Sequence, residues 1–438
     1  MLFVFACLLS ASFARSHEVN NGTFTEVYVK QSGDDSNNGT AIGQEKKSLR
    51  DAYFLLVNDK SNKIFVVHDA TPLTAEAMLL TKTQGITIEG VNEKGDGNTE
   101  VAIDCNATVP SSNSSTALFA CYYTVEFKYL AFQFSTIEHY WDILIYSRTD
   151  SLGISNCQFV RIGATSQGGI TSNVDGNSPV AQSLVEANGG KVIMNSVKCT
   201  DETSFVTFSN ALFIFDGAEE VTLNEVEINK VNVLYGSSIS VSDSADAIGK
   251  FSIEGLNIQE VNTERSGTAG LNINLGSVGA TLSIGRTRKC TFKSCTTRNG
   301  LVGAMLIYMS QTKSYLKLPA ANNLDIDGTN TVNSTSRSIF IRAPDIEEFC
   351  EQEDSFEFAN DYDESAAGWI MVAKDEDSDP VDVYEKYIKV RQEKQKEEVQ
   401  KKKTGTIVAI VAPIVVVVVA VVVVVVIIVV RKRKSKSG

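Results

Sequence analysis

The segments VTLNEVEI (residues 221–228) and FSIEGLNI (residues 251–258) share one pattern, with apolar residues at positions 1, 3, 6 and 8. Counting all occurrences, the frame starts at seven places that lie 27 to 40 residues apart, which indicates an internal repeat. The last occurrence contains three inserted residues, and the first supplies only the first three positions. The other segments are ITIEGV from Ile86, VEFKYLAF from Val125, LGISNCQF from Leu152, VIMNSVKC from Val192 and LSIGRTRKCTF from Leu282.

The period-two alternation inside each unit predicts two short, half-buried strands. The two-residue offset between positions 3 and 6 predicts a bend, often at Asn, Glu or Gly, as in Asn224-Glu225 and Glu254-Gly255. One such unit cannot bury its inner face, but stacked units can, each strand pairing in parallel with its counterpart in the next unit. We therefore expect an all-β, right-handed parallel β-helix. An immunoglobulin-like or jelly-roll sandwich is the alternative, with hairpins every 8–12 residues and no register shared between distant repeats.

The start of the chain carries a resemblance. The stretches EVYVKQSGDDSNNGT from Glu26, KKSLRDAYFLLVND from Lys46, KIFVVHDA from Lys63 and GITIEG from Gly85 resemble the opening of pectin-lyase-like right-handed β-helix proteins. The resemblance covers roughly residues 26–343 and implies a β-helix ectodomain over 17–343. It also implies an N-terminal capping helix at about 48–58, with Ser48 as its N-cap and Leu49, Ala52, Tyr53 and Leu56 on its apolar face.

The composition changes after Pro344. Residues 345–379 contain 14 Asp or Glu and one Lys, with aromatic residues interspersed. We interpret 344–379 as an acidic collar or a C-terminal cap. Residues 380–404 begin with apolar residues at helical spacing and continue with charged residues and Gln, which predicts a charged helical stalk.

The C-terminus predicts a membrane anchor. Residues 407–430 are uncharged and mostly valine, and a helix of this length spans the roughly 30 Å hydrocarbon layer of a bilayer. Residues 431–438 carry five basic residues and are expected in the cytoplasm. Residues 1–16 have an apolar core followed by Ala14 and Ser16, which predicts a signal peptide cleaved before His17. These features predict a single-pass type I protein of the plasma membrane or another secretory-pathway membrane, with the ectodomain extracellular or lumenal.

The net charge of −13 argues against nucleic acid as a partner. A cell-surface glycoprotein is expected, since five Asn-X-Ser/Thr sequons lie outside the anchor, and they are candidate glycosylation sites. The candidates are Asn21, Asn38, Asn106, Asn113 and Asn333.

Seven cysteines remain outside the signal segment, without a CxxC motif. With three histidines in the chain, this distribution argues against a zinc site. Cys157 and Cys199 occupy apolar positions of the repeat, so we expect them to be buried core residues. Cys105 and Cys121 flank a loop rich in Asn, Ser and Thr and are the most plausible disulfide pair, with a disulfide-free chain as the alternative.

Enzymes with the pectin-lyase-like fold act on acidic polysaccharides. Their motifs identify no catalytic residue in this sequence. The stretch SNALFIFDGAEEV from Ser209 is similar to part of the pectin esterase motif, but Leu212 occupies the position of the catalytic Asp. Lyase chemistry would need several carboxylates and a basic residue, for which Arg148 and Arg161 are available. The outward carboxylates to test are Asp142, Asp150, Asp201, Asp216, Glu225, Glu227 and Glu254.

The turn GDDSNNG (residues 33–39) has clustered oxygen ligands suited to calcium, but a polar turn without an ion is the favoured interpretation. No cofactor is predicted otherwise. The chain as a whole resembles β-helix surface proteins with valine-rich anchors found in some protists. We expect a binding, adhesion or display surface for a carbohydrate or protein ligand. A membrane-tethered polysaccharide lyase or hydrolase and a passive surface coat are the alternatives.

Overall fold

The computed structural model describes residues 22–106, 117–134, 141–161, 182–200, 207–208, 210–244, 248–264, 267–310, 315–319, 322–352 and 355–434. The chain forms two compact units, residues 1–383 and residues 384–438, each considered separately. The first unit is built mainly from parallel β-sheet, and the second is helical.

Sheet 1 has 17 strands among the described residues and consists of two rows that lie side by side. Row A contains the strands Glu26–Val29, Asn62–Val67, Ile86–Val91, Val125–Lys128, Ser151–Ser155, Lys250–Glu254, Thr281–Ile284 and Tyr315–Lys317. Row B contains Leu73–Thr74, Val101–Asp104, Leu130–Phe134, Gln158–Arg161, Asn257–Gln259, Cys290–Lys293 and Leu324–Ile326. Two long strands, Lys191–Thr200 and Glu220–Asn229, belong to both rows.

Sheets 2 and 3 complete the first unit. All neighbouring strands pair in parallel except the last pair of each sheet. Sheet 2 contains Met78–Leu80, Ala117–Cys121, Ile143–Ser147, Ser183–Asn188, Phe213–Asp216, Ile239–Ser242, Leu271–Leu275, Met305–Met309, Ile339–Arg342, Ile370–Ala373 and Val381–Asp382. Sheet 3 contains Thr207–Phe208, Asn232–Val233, Asn262–Thr263, Thr296–Thr297, Thr331–Val332 and Thr335–Ser336.

The register of row A confirms the repeat predicted from the sequence. Val221 pairs with Val192 on one side and with Phe251 on the other, and Phe251 pairs with Leu282. The earlier starts continue the same ladder, from Ile86 through Val125 and Leu152 to Val192. The hydrophobic pattern thus sets the strand register, because a shift by one residue would turn every apolar side chain outward.

The predicted bend is a backbone feature that is repeated from one unit to the next. The fifth residue of the frame has a positive φ in five successive units, where an L side chain costs about 1–2 kcal/mol. This left-handed residue turns the chain from row A into row B. The residues, with φ in degrees, are Tyr129 (54), Asn156 (54), Ser196 (51), Glu225 (56) and Gly255 (65).

The inner faces of sheets 1 and 2 pack against each other through aromatic rings. Phe119 of sheet 2 lies 5.6 Å from Phe127 of sheet 1, measured between ring centroids. Phe159 of sheet 1 stacks on Phe132 at 5.2 Å and meets Phe213 of sheet 2 at 5.6 Å. All five rings are almost fully buried. Each such pair contributes about 0.5–1.5 kcal/mol beyond the burial of its apolar area.

A helix near the N-terminus lies within the predicted range. It runs from Leu49 to Leu55 with Ser48 as N-cap, whose hydroxyl accepts from the Asp51 N–H at 3.2 Å. The helix stops before residue 58 because Leu56 is already extended and its N–H bonds the Tyr53 carbonyl. Lys82 reaches the end of this helix, where its ammonium donates to the Leu56 carbonyl at 2.5 Å and lies over the Tyr53 ring.

The acidic segment 344–379 is folded where the structure describes it. Strand Ile370–Ala373 pairs in parallel with Ile339–Arg342 and extends sheet 2. Helix Ile346–Glu351 and two 3-10 turns, Glu357–Ala359 and Glu364–Ala366, precede that strand. Sheet 2 therefore continues across the boundary predicted at 343/344, as it would in a C-terminal cap. Charge composition suggested the boundary, whereas Ile370 and Val372, both buried, decide the pairing.

The second unit is a π-helical turn, Tyr384–Ile388, followed by one α-helix, Lys389–Lys434, which contains Pro413. The predicted stalk and anchor are parts of this single helix, except that residues 381–382 form a strand of sheet 2. The helix includes one segment long and apolar enough to cross a membrane, Val411–Arg431, with a mean hydropathy of 3.8. Its valines are about half exposed all around the helix, as expected for a lipid-facing surface.

The seven cysteines of the described residues are all buried. Cys199 pairs with Phe159 and Ile228 in row B, so its predicted role in the apolar ladder is confirmed. The disulfide predicted between Cys105 and Cys121 is not formed in the structure. Cys105 follows a strand of sheet 1 and Cys121 ends a strand of sheet 2, and both side chains are fully buried core groups.

The bend geometry predicts the effect of adding one methyl group. Gly255→Ala should lower the free energy of unfolding by about 1–2 kcal/mol, because Ala at φ 65° pays the left-handed cost while its Cβ meets Glu225 only at an ordinary 3.4 Å. Gly153→Ala is the control: this glycine lies in a strand, and its Cβ would meet only the flexible Glu126 side chain. Denaturant unfolding measures both, and equal changes would contradict the role of the bend.

Burial also predicts thiol reactivity. Desolvation raises the pKa of Cys157 to about 12 and that of Cys290 to about 11, so little reactive thiolate exists at neutral pH. Iodoacetamide should leave all seven described cysteines unlabelled in the native chain and label all seven in guanidinium, as read by peptide mass spectrometry. If Cys105 and Cys121 required a reductant before labelling in guanidinium, they would be paired after all.

Candidate functional site

The outward face of sheet 2 carries a row of polar side chains. Asn188 pairs with Asp216, the next strand places Ser242 beside Asp216, and Ser242 pairs with Asn274. We call these four residues the polar row. Their strand neighbours alternate inward, as Phe215 and Val241 do, and are buried. Because neighbouring strands lie about 4.8 Å apart, the polar row offers one hydrogen-bonding side chain at each such step.

A second outward row runs beside the polar row, two residues earlier on each strand. Glu186 pairs with Ile214, which pairs with Ser240, which pairs with Asn272. The chain before the strands forms a wall at Asn210 and Tyr235, and the Tyr235 side chain is 45% exposed. The two rows and this wall enclose a cleft of about 440 Å³. Its lining is made of carboxylates, amides, hydroxyls and one phenol, with few apolar side chains.

Hydrogen bonds within the cleft are mostly long. The Asn188 amide donates to Tyr146 Oη and to Glu186 Oε1, each at 3.3 Å. The Asn272 amide donates to Ser240 Oγ at 3.4 Å. Bonds of this length are weak, so a ligand hydroxyl can replace them at low cost. Ser242 donates to Asp216 Oδ1 and accepts from the Gly217 N–H at 3.3 Å, so it links two neighbouring strands of the polar row.

Arg148 lies next to the cleft. The pairing of Ser147 with Ala187 puts Arg148 beside Asn188 and the pairing with Cys121 puts it beside Tyr122. Desolvation raises the pKa of Tyr122 and the nearby Arg148 cation opposes that rise. The outward residues of sheet 2 therefore pass from Tyr122 and the exposed Arg148 to the polar row and its acceptor-rich cleft.

Of the carboxylates proposed from the sequence, Asp216 is the one that lines this cleft. Glu225 instead forms an ion pair with Arg288 at 2.5 Å and accepts from Ser196 Oγ at 2.9 Å. Asp150 and Asp142 lie on other segments of the first unit, and Glu227 points outward from sheet 1. Asp201 lies outside the described residues, and the Arg161 side chain is likewise not described.

Glu254 binds the insertion that distinguishes the seventh repeat. Its carboxylate accepts from the backbone N–H groups of Arg286, Thr287 and Arg288 at 2.8–3.0 Å, and from the Thr287 hydroxyl at 3.1 Å. Arg288 also donates to Asn224 Oδ1 at 3.0 Å. These carboxylates at the bends therefore stabilise loops of neighbouring repeats, which is a structural role.

The carboxylates of the turn at 33–39 accept hydrogen bonds from nearby backbone N–H groups. Asp34 Oδ1 accepts from the Ser36 N–H at 2.8 Å, which lowers the pKa of Asp34. Asp35 Oδ1 accepts from the N–H groups of Lys47 and Ser48, each at 2.9 Å. These bonds are what a polar turn requires without an ion. The part of the chain that the structure describes contains no group of three or more His, Cys, Asp or Glu able to hold a metal.

Three of the predicted glycosylation sites are described. Asn38 and Asn333 are exposed on turns, and Asn106 is partly buried beside the undescribed segment 107–116. Asn333 and Ser334 form the tight turn of a hairpin with φ of 45° and 66°. Asn21 and Asn113 lie outside the described residues. Occupancy of all five sites stays a prediction.

The polar residues of the cleft other than Asp216 were missed by the sequence analysis. The signal was present in SLVEAN, FIFD, ISVS and LNINL, which place a polar residue one position after a buried apolar residue. The number of residues between these strands and the row A strands differs from one repeat to the next, so these strands do not align when the sequence is aligned on the row A pattern.

Comparison with known proteins gives no match, since no family model, no curated protein and no solved structure is similar to this chain.

The contacts of Glu254 predict that removing its carboxylate makes the loop at residues 286–288 more accessible to trypsin. Glu254→Ala removes the acceptor of three backbone N–H groups and should make the loop open about 2 kcal/mol more easily, roughly a thirty-fold rise in the open fraction. Trypsin should then cleave the native chain faster after Arg286 and Arg288. Glu264→Ala is the control, because its contact with Arg298 is an exposed pair at 3.7 Å. Equal cleavage in both variants would contradict this role.

Proposed function

We propose that this protein is a single-pass, type I cell-surface glycoprotein whose first unit is a right-handed parallel β-helix that binds a glycan. The parallel sheets of the first unit and the apolar segment Val411–Arg431 support a β-helix ectodomain and a membrane anchor. The basic tail and the signal-like N-terminus favour an extracellular or lumenal first unit.

The order of strands supports the β-helix. The chain from Glu220–Asn229 passes through both rows of sheet 1, then through Asn232–Val233 of sheet 3 and Ile239–Ser242 of sheet 2. It then re-enters row A at Lys250–Glu254, paired in parallel with the strand where the circuit began. The next circuit visits Asn262–Thr263 and Leu271–Leu275 in the same order. Such a closed circuit is typical of the pectin-lyase-like fold that the sequence resembles.

The cleft carries the functional proposal. A pyranose ring is about as long as the spacing of about 4.8 Å between neighbouring strands, so a linear glycan lying across the strands meets one member of the polar row per sugar. Amides, hydroxyls and carboxylates are the groups that satisfy sugar hydroxyls. The exposed face of Tyr235 gives an apolar surface at the wall, as sugar rings require.

A membrane-tethered glycoside hydrolase or lyase is the second candidate. The observation in its favour is that two carboxylates, Glu186 and Asp216, line one cleft. Hydrolysis needs one of them as an acid and the other as a base or nucleophile. Lyase chemistry needs a base, and no Arg or Lys is among the residues described as lining the cleft. The lining thus argues against a lyase, and a hydrolase is the enzymatic alternative to glycan binding.

The binding proposal predicts a length dependence and a loss by mutation. Binding of linear oligosaccharides to the full chain in lipid nanodiscs should strengthen with length until the glycan spans the four strands of the polar row, and then level off. Asn274→Ala should weaken binding about five-fold, the value of one neutral hydrogen bond. Asn257→Ala, an outward Asn of sheet 1, is the matched control.

Calorimetry and a glycan array measure the affinities, and an assay for new reducing or unsaturated ends runs on the same samples. Release of such ends, abolished by Glu186→Gln, would replace the binding function by the enzymatic one. Failure to bind any glycan would favour a passive surface coat.

A further inference from the structure

The cleft carries a charge that the glycan must match. Glu186 and Asp216 lie on neighbouring strands, with Asp216 two residues beyond Ile214, the register partner of Glu186. Glu186 Oε1 receives one long bond from Asn188, and Asp216 Oδ1 receives one from Ser242. Each of these bonds occupies one oxygen of its carboxylate. The lining residues described for the cleft include no Lys or Arg that would neutralise the pair.

The remaining polar groups of the cleft do not compensate for this charge. Asn188, Asn272 and Asn274 are neutral amides, and Ser240 and Ser242 are neutral hydroxyls. A carboxylate only accepts hydrogen bonds, so a bound glycan must present donors to both acids. A protonated amine satisfies a carboxylate best, because a charge-assisted bond is stronger than a neutral one. A uronate or sulfate would instead bring like charges together.

Arg148 is a cation on the same face of sheet 2. It stands beside Asn188 at the edge of the polar row, one strand before the strand of Glu186, and its side chain is exposed. The carboxylates lie inside the cleft, whereas Arg148 lies outside its lining, and one cation does not neutralise two carboxylates. The sign of the cleft is therefore set by Glu186 and Asp216.

From this we propose that the cleft selects amine-bearing glycans of the glucosamine type and rejects acidic glycans. The inference rests on the glycan-binding function proposed above and specifies its ligand class. It runs against the expectation from the resembled fold, whose enzymes act on acidic polysaccharides.

The test compares three linear oligosaccharides of equal length on the full chain in nanodiscs of neutral lipid, at mildly acidic pH. They are a glucosamine oligomer, its N-acetylated form and a galacturonate oligomer. The affinities should fall in that order, by about three- to five-fold per carboxylate contact, and the differences should shrink as salt is added. Glu186→Gln and Asp216→Asn keep the shape of the cleft and should each reduce the preference for the amine.

A control variant and the order of the three affinities distinguish the proposed ligand class from glycan binding itself. Glu227→Gln, an outward carboxylate on sheet 1, should leave the order unchanged. Equal binding of all three oligomers, or tightest binding of the galacturonate, would overturn the ligand class while leaving glycan binding intact. A preference that survives both Glu186→Gln and Asp216→Asn would also overturn it. Binding of none of the three would overturn this inference, and only a failure to bind every glycan on the array would overturn the glycan-binding function as well.

Discussion

Strand pairing between successive repeats is the constraint on which the first unit depends. The strands within one repeat do not satisfy one another, since each strand of rows A and B, except those at the two ends of a row, bonds to its counterparts in the preceding and following repeats. A repeat can also bury its apolar side chains only when another repeat covers them. The register of Val192, Val221, Phe251 and Leu282 is therefore a shared property of the stack.

The same constraint explains why loops vary while the strands do not. Between strands, the chain tolerates insertions such as the three extra residues of the seventh repeat, provided that their backbone groups find partners. Glu254 supplies those partners for residues 286–288. In five repeats one left-handed residue carries the chain from row A to row B, whereas the seventh repeat uses the longer loop 285–289 at the same point. Non-glycine residues accept a conformational cost there, which the pairing on both sides offsets.

Regular pairing also places the cleft. Once the inward side chains of sheet 2 are in register, the outward ones are in register too, since alternation leaves them no other direction. Asn188, Asp216, Ser242 and Asn274 thus stand in line although 28, 26 and 32 residues of chain separate consecutive members. The fold does not require acidic or amide side chains at these positions. Equivalent outward positions of sheet 2 hold Tyr122 and Arg148 at the ends of the earlier strands and Tyr308 and Arg342 on the later ones.

Local sequence was sufficient for the row A strands between residues 86 and 284, the bends, the inward Cys199 and the apolar anchor segment. Each of these rests on periodicity, on one residue's conformation or on continuous hydrophobicity, which are properties of a short stretch of chain. The strands of sheet 2, the folded acidic segment 344–379 and the cleft were decided by tertiary structure. Loop lengths shift sheet 2 out of phase with row A, buried Ile370 and Val372 outweigh the surrounding charge, and the cleft residues meet only across paired strands. Residues about 30 positions apart become neighbours only through the register of the paired strands, which a short stretch of sequence does not reveal.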